Sequence, residues 1–407
     1  MNNKIVIIGC GNVGMSYAYA LLNQNTNVNE LVLIDLDKER AIGEAMDLNH
    51  GIAFAPGRIN IKAGDYSDCK DADIVCIAAG ANQNPGETRM DLINKNSVIF
   101  KSIVTEVMKN KFDGIFLIAT NPLDVMTYLT WKYSNLPHSR IIGSGTSLDT
   151  SRLRFMIGEK LNISPKSVHA YIIGEHGDSE FAPFSNATIG LQNIHNFLND
   201  DELNKIYHNV KNAAYEIINR KKATYYGIGM CLVRITNAIL NNENSIITVS
   251  SYDKENDIFM GIPSIINRNG VRERVYVELN EEETKKLQNC VNIIKDAINI
   301  RFGYIMVIVC LTIFSTGLNS ITIPYISKYL LDSAIVSLNV SILYKVLILA
   351  LLVYFAYLIC DIFLTYFILK WQTDVDFSFK CNFYKVINKK KSLELEGVSP
   401  MDIYYRM

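Results

Sequence analysis

The chain has 407 residues, enough for two or three domains, and 40 basic against 41 acidic residues leave a net charge of -1. That balance gives no electrostatic case for a nucleic-acid partner. The cysteines (Cys10, Cys69, Cys76, Cys231, Cys290, Cys310, Cys360 and Cys381) form no CxxC pair and no Cys/His spacing suited to zinc, so free thiols in a reducing cytosol and no metal site are expected.

Met1-Asn2-Asn3-Lys4 runs straight into Ile5-Val6-Ile7-Ile8, too short an apolar run for a secretory signal and better read as a buried strand. Val13–Leu22 has a helical pattern, and Leu31–Ile34, Ile74–Ala78 and Ile115–Ile118 read as further strands. Strands alternating with helices over residues 1–145 predict a Rossmann-type, doubly wound α/β domain with a parallel sheet. Residues 146–302 mix helical patterns (Arg152–Leu161, Asp201–Arg220, Glu281–Ile300) with strand-like pieces (Ile246–Ser250, Val275–Leu279), which predicts an α+β substrate domain.

Gly9-Cys10-Gly11-Asn12-Val13-Gly14 follows the first strand and opens the first helix, and Asp35 ends the next strand. This context makes the glycines a dinucleotide loop. Gly9 permits the tight turn, Gly11 lets the backbone approach a pyrophosphate, and Gly14 lets the helix pack closely on the sheet. Asp35 is suited to bond both ribose hydroxyls and to repel a 2′-phosphate, which favours NAD over NADP. Further on, Asp149-Thr150-Ser151-Arg152 precedes Ile173-Gly174-Glu175-His176-Gly177-Asp178. A histidine, a carboxylate to orient it, an arginine to hold an anion and a dinucleotide loop together suggest proton-coupled hydride transfer.

Residues 1 to about 302 resemble the bacterial L-lactate dehydrogenase branch of the lactate/malate dehydrogenase family. The resemblance is carried by Gly80-Ala81-Asn82-Gln83, Pro85-Gly86-Glu87-Thr88-Arg89, Thr120-Asn121-Pro122-Leu123-Asp124, Gly143-Ser144-Gly145-Thr146, Leu148-Asp149-Thr150-Ser151-Arg152 and Gly174-Glu175-His176-Gly177-Asp178. It implies reversible reduction of pyruvate to L-lactate by NADH. His176 is then the general acid/base, Asp149 its orienter, and Arg152 the fork for the substrate carboxylate. Arg89 rides on a mobile lid and polarises the ketone on closure, an effect whose loss typically costs about 3–4 kcal/mol. Asn121 bonds substrate and the nicotinamide region, and Thr224 packs near the substrate methyl group. Further cofactor contacts are implied at Val13, Arg40, Tyr66, Gly80 and Ala81. Ser102, Thr120, Asn121 and Ser144 complete that set.

Gln83 stands where relatives acting on malate carry arginine. A neutral side chain there would leave the second carboxylate of oxaloacetate unpaired, so pyruvate is expected over oxaloacetate. Arg154 and His169 match a pair that, with their symmetry mates across a two-fold interface, binds fructose 1,6-bisphosphate as activator, and the resemblance implies a homotetramer. Lys222 stands where many relatives have glycine; a positive φ there would cost stability. The stretch Ser251–Met260 also looks shorter than in many relatives. Two rivals stay open: a dehydrogenase for another small 2-hydroxy acid, separable by a substrate panel, and a catalytically inactive membrane-anchored nucleotide-binding protein, separable by NADH oxidation with pyruvate.

After residue 302 the composition changes. No charged residue occurs for 26 positions between Arg301 and Lys328, and only Asp361 in the 24 between Lys345 and Lys370. As helices these runs would be about 36–39 Å long against a bilayer core of about 30 Å. A transmembrane tail is therefore expected over 303–407, with spans about 303–327 and 346–369. It resembles the start of the transmembrane domain of an ABC exporter, without the remaining spans or a Walker A sequence. Lys370, Lys380, Lys385 and Lys389-Lys390-Lys391 follow the second span and place both chain ends in the cytoplasm. Such a tail either tethers a cytoplasmic enzyme to the membrane or joins two truncated reading frames; half an exporter domain favours the second.

Overall fold

A computed structural model describes residues 2–81 and 89–317, with scattered helical positions between 324 and 366. The chain forms two compact units, 1–297 and 298–407. The first opens with β1 (Lys4–Ile8), α1 (Asn12–Asn23), β2 (Glu30–Ile34), α2 (Lys38–Gly51), β3 (Asn60–Ala63) and β4 (Ile74–Ile77). It continues with α3 (Arg89–Lys109), β5 (Ile115–Ile118), α4 (Leu123–Ser134), β6 (Ile141–Gly143) and α5 (Ser147–Leu161). The six strands lie in the order β3-β2-β1-β4-β5-β6, all parallel. This is the doubly wound Rossmann arrangement expected, with its order reversing beside β1, where such sheets bind ligands at their carboxyl ends.

Both faces of the sheet are covered, which is why its strands read as unbroken apolar runs. Ile5, Ile7, Leu31, Leu33, Cys76 and Leu117 join residues of α1, α2 and Tyr226–Leu240 in one core. The alternate residues Val6, Val32, Val75, Ile77, Phe116 and Ile118 are equally buried on the opposite side.

The rest of this unit comprises β7 (Val168–His169), β8 (Thr188–Ile189), β9 (Gln192–Asn193), α6 (Asp200–Lys221), α7 (Tyr226–Leu240), β10 (Ser245–Asp253), β11 (Ile258–Asn267) and β12 (Gly270–Arg274). β7, β8 and β9 form a small antiparallel sheet. β10 lies antiparallel against β6 at Ser250 and Gly143, so β10, β11 and β12 extend the parallel sheet to nine strands. The short connection between β10 and β11 closes a hairpin whose register runs unbroken from Ser245–Ile266 to Asp253–Ile258.

The strand expected over Val275–Leu279 is not there: β12 ends at Arg274. The Val275 N–H still donates to the Pro263 carbonyl at 2.8 Å. Pro263 has no N–H to return, so the ladder stops, and the following residues run on outside it, with the Glu278 carbonyl accepting from the Asn186 side chain instead. The helix expected from Arg152 begins earlier, at Ser147, and takes Asp149 onto its first turn.

α8 (Glu281–Gly317) begins as expected and runs beyond Ile300 without a break. Residues 318–323, 326 and 327 of the first expected span, seven positions of the second, and all of residues 367–407 lie outside the described residues. Among the described residues no helix is long and apolar enough to cross a membrane. The described cysteines Cys10, Cys69, Cys76, Cys231, Cys290 and Cys360 are free thiols. Burial, aided for Cys10 by Asp35 and for Cys69 by Asp68, pushes both thiols up to about 12, far from reactive thiolates.

Lys222 caps α6 in the left-handed region with φ 71°, its N–H donating to the Ile218 carbonyl at 2.7 Å. A side chain in that conformation costs about 1–2 kcal/mol, partly offset in glycine by unfolded-state entropy. Lys222→Gly is therefore expected to stabilise the protein by about 1 kcal/mol, raising the thermal midpoint by about 2 °C; a scan of the two proteins under identical conditions measures it.

Candidate active site

The loop between β1 and α1 forms a cradle for a phosphate group. Gly9 has φ 105°, and a Cβ there would meet the Ala79 backbone at 2.5 Å. A Cβ on Gly14 would stand 2.0 Å from the Gly9 carbonyl oxygen, so only glycine lets α1 start this close to the strand. Gly11 faces open space, with nothing within 4 Å of where its Cβ would be. α1 has no side-chain cap and no acidic residue in its first turn. An anion-binding helix start needs that combination, and Val13 lies in that turn.

Asp35, at the end of β2, accepts from the Cys10 N–H at 2.6 Å and from the Asp37 N–H at 3.0 Å. Its carboxylate is thus fixed against the glycine loop. Gly80 and Ala81 follow β4, and Thr120 and Asn121 follow β5. The Thr120 hydroxyl donates to the Ala79 carbonyl at 2.9 Å, and the Ser144 N–H, after β6, donates to the Ile118 carbonyl at 2.8 Å. These strand ends lie along one rim of the sheet. Arg40 is exposed on α2, 3.8 Å from Glu44, while Tyr66 is half-buried and Ser102 is exposed on α3. The Arg40 charge still bears on Cys10 in the loop, and that of Asp35 on Tyr66.

The second constellation is built on α5. Asp149 and Arg152, three residues apart in its first turns, share one helix face. Asp149 is 5% exposed and takes two partners: His176 Nδ1 at 2.9 Å on Oδ2 and an Arg152 guanidinium nitrogen at 2.7 Å on Oδ1. A carboxylate facing Nδ1 requires a proton there, which leaves Nε2 as the reactive ring nitrogen. Burial alone would push the His176 pKa down. The Asp149 charge and hydrogen bond outweigh burial and raise it to about 9. Asp149 is likewise disfavoured as an anion by burial but held below the usual carboxylate range by His176 and Arg152.

The loop that carries His176 is stitched down on both sides. The His176 N–H donates to Asp124 Oδ2 at 2.8 Å, and the Ser250 hydroxyl donates to Asp124 Oδ1 at 2.5 Å. Burial pushes the Asp124 carboxyl up to about 6 despite these two bonds. Gly174 and Gly261 exchange main-chain hydrogen bonds at 2.8 and 2.9 Å. Ile172, leading into the loop, donates its N–H to the Thr150 hydroxyl oxygen at 2.9 Å and accepts from the Thr146 hydroxyl at 2.5 Å, so α5 and the loop hold each other.

Thr224 lies between α6 and α7. Gly227, just beyond it, is so close to Leu148 that a Cβ there would come within 2.7 Å, which puts this segment against the start of α5. Arg154 packs against the two residues that follow His169: its Nε donates to the Ala170 carbonyl at 3.0 Å and its guanidinium stacks over the Tyr171 ring at 4.7 Å. Gln83 lies outside the described residues, and Arg89 is the first residue of α3.

Two models of the lactate/malate dehydrogenase family match the chain, the NAD binding domain over residues 3–143 and the alpha/beta C-terminal domain over 146–303. The chain belongs to the lactate/malate dehydrogenase family. Among its relatives in that family, L-lactate dehydrogenase 1 of Peribacillus psychrosaccharolyticus is 55% identical over 310 residues, 74% of this chain and 97% of that protein. L-lactate dehydrogenase 2 of Bacillus cereus is 54% identical over 304 residues, 72% of this chain and 96% of that protein. The crystal structure of minor L-lactate dehydrogenase from Enterococcus mundtii, in a ligands-bound form, superposes with a TM-score of 0.71 at 48% identity, covering 73% of this chain and 97% of that one. A lactate dehydrogenase from a Medee basin deep-sea metagenome library gives a TM-score of 0.71 at 53% identity, covering 73% and 98%. The family models supply the NAD-binding assignment that the cradle and Asp35 fit.

Sequence reasoning gave no role to four residues that the structure places here. Asp124 and Ser250 fix the His176 loop, and Glu180 lies 3.9 Å from His176 Nδ1. Asn96, fully buried on α3, accepts from the Ala81 N–H at 2.7 Å and donates to the Asn121 carbonyl at 2.7 Å, tying the ends of β4 and β5 together. Each is a lone polar residue whose partners include groups distant in sequence, so the sequence offered no signal for it. Asn96→Ala leaves both main-chain groups without this partner. It is expected to cost about 1–3 kcal/mol in urea unfolding and to weaken NADH binding in a fluorescence titration; unchanged NADH affinity would show that this tie does not shape the cofactor rim.

Proposed function

We propose that the chain is an NAD-dependent L-lactate dehydrogenase that reduces pyruvate to L-lactate and runs in reverse on lactate. The observation that carries this reading is Asp149 bound at once to His176 and Arg152. Fixed in this way, the imidazole presents Nε2 beside a guanidinium that has further N–H groups to offer. NADH, when bound, supplies the hydride, and NAD accepts it in the reverse direction. The Gly9–Gly14 loop and the start of α1 hold the pyrophosphate, and Asp35 holds the ribose.

Arg152 takes the substrate carboxylate in its planar fork and sets the keto carbon in place. His176 delivers a proton to the ketone oxygen and recovers it from the lactate hydroxyl in the reverse direction. Asp149 keeps the proton on Nδ1 and steadies the imidazolium. Arg89, with the lid, polarises the ketone and excludes water, and Gln83 leaves no partner for a second carboxylate. Asn121 and Thr224 line the substrate, with Gly80, Ala81, Thr120 and Ser144 on the cofactor side. Every residue used except Ser144 lies within the part matched by the family models.

Because His176 is raised to about 9 and acts as acid in one direction and base in the other, the two directions have opposite pH dependences. Pyruvate reduction, which needs the imidazolium, is level near neutrality and declines as pH rises through about 9. Lactate oxidation, which needs the neutral ring, gains over the same interval. Oxaloacetate is turned over more slowly than pyruvate, and His176→Asn lowers kcat by about 10²–10⁴-fold. Initial rates in both directions from pH 6 to 10 check this. Faster turnover of oxaloacetate, or an intact rate in His176→Asn, overturns the reading.

Activation by fructose 1,6-bisphosphate in a homotetramer is the finer part of the proposal. Arg154 keeps guanidinium nitrogens beyond the one on Ala170, and exposed His169 directly precedes Ala170 in the chain. Doubled across a two-fold axis, these cations suit two phosphates. Adding the bisphosphate is expected to lower the apparent KM for pyruvate, and Arg154→Gln to abolish that response; a KM that does not move rules out the activator site.

A further inference from the structure

Glu180 is 4% exposed, and its Oε2 is buried without a hydrogen-bond partner. That oxygen lies 3.9 Å from His176 Nδ1, and the ligand atoms of Asp149, His176 and Glu180 all fall within 4.8 Å of one another. Two carboxylates this close, shielded from water, do not both ionise at neutral pH; one keeps its proton. Asp149 is the one with cations on both oxygens, so it is the one that ionises.

We propose that Glu180 is a neutral carboxylic acid behind the Asp149–His176 pair, a positioning residue that turns its proton toward Asp149 and leaves the His176–Asp149–Arg152 group with one net positive charge. The inference rests on the dehydrogenase reading above and deepens it. With Glu180 uncharged, the His176 imidazolium and the Arg152 guanidinium outweigh the Asp149 carboxylate by one charge, which matches the single carboxylate of a 2-keto acid. An ionised Glu180 would cancel that charge.

The groups around Glu180 agree. Asp149 and Arg152 face it from α5 and His176 from its own loop, while the Tyr207 hydroxyl on α6 donates to its main-chain carbonyl. Asp124 reaches the His176 backbone from the other side, and Glu175 takes the Ser179 hydroxyl. Burial, then the Asp149 charge, raise the Glu180 pKa well above that of an ordinary glutamate. The same three donors do not make a cation site in this setting, because Arg152 already supplies the positive charge at Asp149.

Infrared difference spectroscopy and pH–rate profiles test this on the full chain. The wild type is expected to show the carbonyl stretch of a protonated carboxyl group at pH 8, where Asp124 has largely ionised, and Glu180→Gln to lose that band. Glutamine is neutral and keeps a donor, so the alkaline limb of kcat/KM for pyruvate is expected to stay within about 0.3 pH unit. Glu180→Leu removes the donor and is expected to lower kcat about tenfold with little change in KM, with Glu180→Gln restoring it. An ionised Glu180 gives the opposite pattern: no such band in the wild type, and a limb that falls by more than about 1 pH unit in Glu180→Gln. That pattern overturns the proposal. The infrared reading does not depend on turnover, so a wild type inert toward pyruvate would sink the dehydrogenase reading and leave the Glu180 test standing.

Discussion

The Asp149 carboxylate is the point on which this molecule turns. Taking a carboxylate out of water costs several kcal/mol, and a buried ion pair recovers that only when every oxygen finds a good partner. Asp149 finds one on each oxygen, His176 on one and Arg152 on the other. Helix geometry makes the second partner automatic: Arg152 follows by three residues on the same face of α5. The first partner has to be brought from 27 residues away, and much of the surrounding structure does that.

The His176 loop is anchored through the sheet rather than through its own short hydrogen bonds. Asp124 sits on α4, which packs under β6 and β10, and it holds the loop by the His176 main chain while Ser250 on β10 holds Asp124. Gly174 is paired to Gly261 on β11. The antiparallel strands β10 and β11 thereby connect the dinucleotide half, through β6, to the loop that presents the imidazole. This explains why the nine-stranded sheet does not stop at residue 145. A hydride-transfer site needs cofactor and proton donor in fixed register, and a continuous sheet under both supplies it.

Four parallel strands, β1, β2, β4 and β5, were legible because each holds an apolar run between turn residues, whereas the half-exposed edge strand β3 and the three-residue β6 were not; α6 was legible because its apolar stripe is strong and its Asn199–Glu202 capping box marks its start. α4 was not legible: Leu123 to Thr130 are all buried, so no polar face gives a helical period. β11 was hidden by Gly261 and Pro263 in its middle, and Pro263 also ends β12 where the pattern of alternation continues past it. Among the site residues, His176, Asp149 and Arg152 could be found because their motifs pair unlike charges at telling intervals. Asp124, Asn96 and Glu180 could not. Their partners are main-chain groups or carboxylates distant in sequence, and a lone acidic or amide residue reads as a surface residue until its burial is known.

The choice of arginine at position 152 follows from the same geometry. In the proposed reaction the group there must neutralise Asp149 and also bind the substrate's acid. A lysine ammonium is a single point charge, and seated on Asp149 Oδ1 it would have little left to direct elsewhere. A guanidinium spreads one charge over several N–H groups in a plane, so one nitrogen can remain on Asp149 at 2.7 Å while the others face a planar carboxylate. Its 13% exposure fits this double duty: enough side chain is open to meet a ligand, and enough is buried that the encounter takes place away from bulk water. In the proposed reaction the carboxylate that orients the acid/base therefore also pre-positions the anion clamp, and the two are aligned before any substrate arrives.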